Sequence, residues 1–273
     1  MVEVASLGEL NIVVPIKQVP DVSELRLDPV THALIREGVP SVLNPYDRYA
    51  MEAAIRLKEQ FGGRITAITM GPMQAKRALQ ECMALGADEA VILSDRAFAA
   101  ADTWATAYTL SVYIKTIPYD FVFTGLKAID GETGQVGPEL AEFLGIPHIT
   151  YVRKIEVDQS SRSVRVERQL ENGYDVWEAP YPILMSIARE YGEPRLPTLQ
   201  GYIEAKRKQV KVVTAADLQK MGGDPKYFGL KGSPTFIPKV HPPPARPPGT
   251  VWEGDPKEAV RRLVEALSEK GLV

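Results

Sequence analysis

Cysteine occurs once in this 273-residue sequence, at Cys82, and histidine three times, at His32, His148 and His241. One thiol excludes a disulfide framework and a thiolate cluster for zinc or iron–sulfur. Cys82 sits within a helical pattern, where a small buried hydrophobe is expected. The histidines are far apart, and none stands at ligand spacing from another histidine, a cysteine or a carboxylate, so no metal site is expected. Long apolar runs are missing too: no stretch approaches the roughly 18 residues of a spanning helix, and the first ten residues carry Glu3 and Glu9 without a basic leader region. The expectation is a soluble, cytoplasmic protein with no direct membrane insertion. The net charge of −3 provides no positive field to draw nucleic acid or an anionic membrane. Absent as well are G-x-x-x-x-G-K-[ST], G-x-G-x-x-G and a serine set in a nucleophile elbow, which disfavours triphosphate, standard dinucleotide and hydrolase chemistry.

What is present alternates. Asn11 to Ile16 (NIVVPI) suits a buried strand, with Pro15 near its end where no ladder donor is needed, and KQVPDVSELRLDP after it reads as a loop. Asn44-Pro45 predicts a helix start, Asn as N-cap and Pro at the first helical position. Tyr46, Tyr49, Ala50, Ala53, Ala54 and Leu57 then fall on one face of a helix that ends before Gly62-Gly63. Arg64 to Met70 predicts a strand stopped by Gly71-Pro72. Ala75 to Met83 predicts a helix closed by Gly86, and Ala90 to Leu93 a short strand. Asp102 is placed to cap a helix through about Lys115, and Asp120 to Thr124 predicts another strand. Such alternation implies a mostly parallel sheet with right-handed crossovers, a doubly wound α/β fold.

After Ile149 the pattern changes to a hairpin, Tyr151 to Val157 and Arg162 to Gln169, followed by short strands at Tyr174 to Glu178 and Ile183 to Ala188. Beyond Leu218, glycine and proline dominate: nine of the 22 prolines lie between Pro225 and Pro256, a composition that defeats regular structure and favours an extended arm. Asp255 and Pro256 then open a final amphipathic helix with Val260, Leu263, Val264 and Leu267 on one face and Gly271 as its stop. The expected division is a nucleotide-binding domain over 1–220, including the hairpin at 151–179, and an arm with its helix over 221–273, which docks on another subunit or packs on its own domain.

Ligands of open α/β sheets bind beyond the carboxyl ends of the strands, near the switch point. Three loops meet that description, beginning near Pro15, Met70 and Gly125. The third, Gly125 to Gly137, runs from a strand into a helix starting near Gln135 to Pro138. Its glycines allow backbone N–H groups to approach an anion, and a helix N-terminus adds its dipole. Asp130 and Glu132 would repel a pyrophosphate, which assigns them to ribose hydroxyls or to helix capping. A second candidate is LPTLQGYIEAKRKQVK, Leu196 to Lys211. There Leu199 suits a protein-docking anchor beside a basic run that otherwise reads as a solvated face.

These pieces, taken in order, resemble one family. IVVPIKQVPD (Ile12 to Asp21), NPYDRYAMEAAIRLKE (Asn44 to Glu59), TMGP (Thr69 to Pro72), GADEAVIL (Gly86 to Leu93) and GLKAIDGETGQVGP (Gly125 to Pro138) resemble the beta subunits of electron-transfer flavoproteins. VERQLENGYDVWEAPYPILMSIA (Val166 to Ala188) resembles their signature, and EPRLPTLQGYIEAKRK their partner-recognition loop, here 190–208. The resemblance implies a Rossmann-like, adenine-nucleotide-binding α/β domain paired with an alpha subunit that carries FAD. It further implies electron transfer to a partner dehydrogenase or quinone-linked oxidoreductase. Family members bind AMP in the simple carriers and a second FAD in the bifurcating ones.

Carried over by position, the nucleotide contacts fall at Pro15, Asn44, Pro45, Tyr46, Asp47, Met70, Gly125, Leu126, Lys127, Ala128, Ile129, Asp130, Gly131, Glu132, Thr133, Gly134, Gln135 and Val136, with Leu199 as the docking leucine. No residue is required as a catalytic acid or base. AIDGETGQVGP resembles the bifurcating pattern at Gly134 and Val136, which implies FAD in this subunit and NADH as donor. AMP as a structural ligand and a stand-alone nucleotide-binding regulator are the alternatives. Asn172 departs from the acidic residue or glycine of the family signature, and Glu204, expected to begin a helix, stands where some members carry lysine.

Overall fold

The short apolar runs assemble into one nine-stranded sheet in the computed structural model, which describes residues 8–21, 26–27, 34–35, 40–236 and 249–273. The chain opens with β1 (Leu10–Pro15), and two small antiparallel pairs, β2 (Gln18–Pro20) with β5 (Ser41–Leu43) and β3 (Arg26–Leu27) with β4 (Leu34–Ile35), stand outside the large sheet, whose parallel centre is β1 with β6 (Gly63–Met70), β7 (Glu89–Leu93) and β8 (Phe121–Gly125). The hairpin of β9 (His148–Asp158) and β10 (Ser163–Leu170) continues through β11 (Gly173–Pro180) to β12 (Ile183–Ile187), and β13 (Lys211–Val213) closes the other edge. The order is β11-β10-β9-β12-β8-β1-β6-β7-β13. Thus β12 enters between β8 and β9, parallel to both, and makes the hairpin part of the same sheet. The segment after Ile16, expected as loop, spends Gln18–Pro20 pairing antiparallel with Ser41–Leu43.

Central strands carry apolar residues on both faces because both are covered. On one face lie α1 (Pro45–Phe61) and α2 (Lys76–Leu85), whose Ala50, Met51, Ala53, Ala54, Leu57, Leu79 and Cys82 join Ile12, Val14, Ile65 and Phe123. On the other lie α3 (Thr103–Ile114) and α4 (Val136–Leu144), packing Ala107, Leu110, Leu140 and Ala141 on Val13, Ile68, Val91 and Val122. Helices on both faces make the sheet doubly wound. Asp102 caps α3 through Ala105 N (2.9 Å), and Cys82 is fully buried.

Beyond β12, α5 (Leu199–Arg207) returns to the α1/α2 face through buried Ala205, and α6 (Ala215–Lys220) opens with a capping box between Thr214 and Asp217. Glycine and proline do not abolish regular structure immediately afterwards. A 3-10 turn at Pro225–Tyr227 and α7 (Gly229–Gly232) are held by an aromatic cluster, with Tyr227 against Trp104 and Tyr108 and buried Phe228 edge-on to Phe98. The sheet-bearing unit extends to Phe236, and Ile237–Val273 forms a second unit. Of the latter, the proline run at 237–248 lies outside the described residues, as do His32 and His241. Its helix α8 (Pro256–Glu269) starts as expected, with Asp255 accepting from Lys257 N and Glu258 N, and Val260, Leu263 and Val264 are exposed along one face.

Candidate functional site

Because β1 lies between β6 and β8, the chain winds outward from β1 in one direction and resumes on its other side, which puts the topological switch point at the carboxyl ends of these strands. Pro15, Met70 and Gly125 are the last residues of β1, β6 and β8. The start of α1 draws two of these ends together. Asp47 is buried, and its carboxylate accepts from Lys17 N (2.7 Å), from Asn44 Nδ2 (2.9 Å) and from the Gly125 backbone N–H. Burial pushes its pKa up to about 7 against the pull of those donors. Asn44 does not cap α1 with its side chain. Its Nδ2 also donates to Lys127 O (3.0 Å) and its Oδ1 accepts from Ile129 N (3.3 Å), so the residue expected as an N-cap is instead a strut for the distant glycine loop. Gly125 is required at this crossing, since a Cβ there would overlap the Asp47 carboxylate and the Tyr46 backbone.

From Leu126 to Ile129 the loop is half-buried, and from Asp130 to Gln135 it is exposed. It turns through Glu132 N→Ala128 O (2.8 Å) with Glu132 and Gly134 both at positive φ, 56° and 64°. Neither carboxylate of the loop caps α4, whose N-cap position is Gln135, a side chain that accepts from Thr103 Oγ1 (3.3 Å) and not from the helix's own N–H groups. Asp130 pairs with Lys17 (2.8 Å) and Glu132 with Lys127 (3.2 Å), whose ammonium lies 6.0 Å from the Tyr46 ring centre. The Glu132 contact raises the Lys127 pKa. Each acid therefore carries its own counter-ion, which removes much of the repulsion a phosphate would meet. Thr124 Oγ1, at the base of the loop, is buried without a hydrogen-bond partner beside Gly137 in the first turn of α4. An uncapped helix N-terminus, an orphaned hydroxyl and a glycine-bearing loop fit a nucleotide phosphate.

A family model described as the electron transfer flavoprotein domain matches residues 31–218. The electron transfer flavoprotein subunit beta of Thermoanaerobacterium thermosaccharolyticum is 50% identical over 265 residues, covering 97% of this chain and 100% of its own. The subunit beta of Clostridium acetobutylicum is 48% identical over 96% of this chain and 99% of its own. The caffeyl-CoA reductase-Etf complex subunit CarD of Acetobacterium woodii is 42% identical, covering 97% and 100%. This chain belongs to the electron transfer flavoprotein beta-subunit family. It is therefore one subunit of a flavin-associated electron carrier whose other chain is an alpha subunit, and among its described residues no helix is long and apolar enough to cross a membrane.

Within this beta-subunit fold the expected site residues divide. Pro15, Asn44 to Asp47 and Gly125 to Val136 converge, and Met70 ends the neighbouring strand, half-buried beside the α3/α4 core. Asp47 and Asn44 are committed to holding loops rather than facing outward. Lys17 and Thr124 were not expected as site residues, although Lys17 stands two positions past Pro15 and Thr124 one before Gly125. Leu199 stands elsewhere, 78% exposed at the first residue of α5. That helix begins there, capped by Thr198 through Gly201 N (3.0 Å), and not at Glu204. Gly201 is no helix breaker here, because it lets α5 approach the Ala84 carbonyl of α2.

Proposed function

We propose that this beta subunit binds FAD in the loops at Pro15, Asn44–Asp47, Met70 and Gly125–Val136. It does so as part of NADH-dependent, flavin-based electron bifurcation, with electrons leaving through the alpha-subunit FAD to a partner dehydrogenase or quinone-linked oxidoreductase. The bound flavin would supply the hydride and electron chemistry, as cofactors do.

The chain's own residues do the positioning. Asn44 and Asp47 fix the loop against α1, the first turn of α4 presents backbone N–H groups, and Lys17 and Lys127 neutralise the acids at the rim. The observation that carries the reading is the absence of polar side chains at Gly134 and Val136. A glycine at φ 64° and a half-buried valine leave phosphate recognition to backbone donors and space for the larger nucleotide. Electron delivery takes place on a separate surface, where the exposed Leu199 is read as the residue that meets the partner dehydrogenase.

The test is the nucleotide content of the heterodimer, followed by anaerobic NADH titration. Two FAD per heterodimer with bleaching by NADH is the expected result. One FAD, one AMP and no reaction with NADH would make the chain a subunit of a simple carrier.

A further inference from the structure

The segment between β12 and α5 carries the exposed Leu196 and leads into the exposed Leu199 at the start of α5. What fixes it is a charge cluster on the middle and later turns of α1. Glu52, only 4% exposed, accepts from the Arg195 backbone N–H (3.1 Å) and Nε (2.9 Å) through Oε2, and from Arg56 Nε (2.6 Å) through Oε1. Arg195 also forks to Glu59, with Nη2 on Oε2 at 2.9 Å. Arg56 reaches the Tyr191 carbonyl (3.4 Å) with its guanidinium 5.4 Å from the Tyr191 ring centre. The arginine fork therefore joins two carboxylates about two helical turns apart on α1 to a backbone point four residues before Leu199. A fork of this geometry fixes direction as well as distance.

Leu199, Tyr202 and Ile203 stand outward on α5 at i, i+3 and i+4 and are all exposed, which makes a short apolar ridge. An exposed ridge on a proline-bounded loop loses affinity if its side chains must be ordered at each encounter, and a loop already held avoids that loss. We propose that Arg195, gripped by Glu52 and Glu59, is a positioning residue that holds the ridge of Leu199, Tyr202 and Ile203 in its docking orientation. This rests on the reading of Leu199 as the partner-docking residue. It also gives α1 two duties: its first turn holds the nucleotide loop and its later turns hold the docking loop.

The experiment uses the full heterodimer, with dichlorophenolindophenol as a small acceptor and the cognate dehydrogenase as a protein acceptor, together with hydrogen exchange over residues 189–204. Arg195→Ala is expected to raise KM for the dehydrogenase about tenfold, speed exchange in that segment, and leave flavin content and dye reduction unchanged. Arg195→Lys, which cannot fork to two carboxylates, should recover only part of the loss. Glu59→Gln, at a largely exposed position that does not threaten folding, should shift KM in the same direction. Unchanged KM in Arg195→Ala or Glu59→Gln, while Leu199→Ala raises it, would overturn the positioning role and leave the docking reading standing. Unchanged KM in Leu199→Ala would remove the docking reading itself, and the positioning role with it.

Discussion

Asp47 sets the chemistry of the site without facing it. A carboxyl whose folded pKa is about 7, against an ordinary value near 4, binds its proton more tightly in the folded state. Its contribution is therefore fully present below about pH 4 and is lost as pH rises toward 7. The melting temperature of the wild type minus that of Asp47→Asn should fall between those limits and stay flat above them; a difference that rises with pH would refute the assignment. Glu52 behaves in the opposite sense. Burial raises its pKa, but bonds from Arg195 and Arg56 outweigh that and hold it below the usual carboxylate range, so its stabilisation is lost only on acidification through that lower value. Gly125→Ala should cost about 2 kcal/mol or more, because the added methyl overlaps backbone that cannot retreat, and denaturant midpoints would measure it. Little of this was legible in the sequence. Asn44 reads locally as a cap, and nothing near it announces partners 83 and 85 residues away.

At the scale of elements, caps and periodicity were legible because they are local. Asp102 and Asp255 cap the helices they precede, and the face of Ala50, Ala53, Ala54 and Leu57 is buried as its spacing requires. Asp102 does more than its sequence position suggests, for its second oxygen accepts from Thr235 N (2.9 Å) and its own N–H donates to Ser233 Oγ (2.8 Å). Asp102→Ala should lower stability by about 1 kcal/mol and speed hydrogen exchange at residues 233–235 together with the first turn of α3. The helix expected from Glu204 begins five residues earlier, at Leu199, where Gly201 lets its first turn lie against the Ala84 carbonyl of α2. The helical turns at 225–232 were hidden for a similar reason: an aromatic cluster contributed by α3 and α4 outweighs their local composition.

For the whole molecule, the alternation of strands and helices conveyed the architecture, while the strand order came from long-range pairing that no local pattern encodes. The crossing at the strand ends shows the same division, since topology places the loops after Pro15 and Gly125 side by side and no local pattern announces the clasp of Asn44 and Asp47 between them. The second unit offers a separate test. If the arm docks on the alpha subunit, a chain ending at Phe236 should bind that subunit more weakly, as analytical ultracentrifugation would show; a lowered melting temperature of the isolated chain with unchanged binding would instead place the arm on its own domain. The placement of β12 has a further consequence during synthesis. Until Ile183–Ile187 leaves the ribosome, the Phe121–Gly125 strand remains an open edge bearing Phe121, Val122 and Phe123, although its eventual neighbour on one side, β1, was made more than a hundred residues earlier. Nascent chains stalled before residue 183 should therefore be held by chaperones, and chains stalled far enough beyond it to release β12 should not.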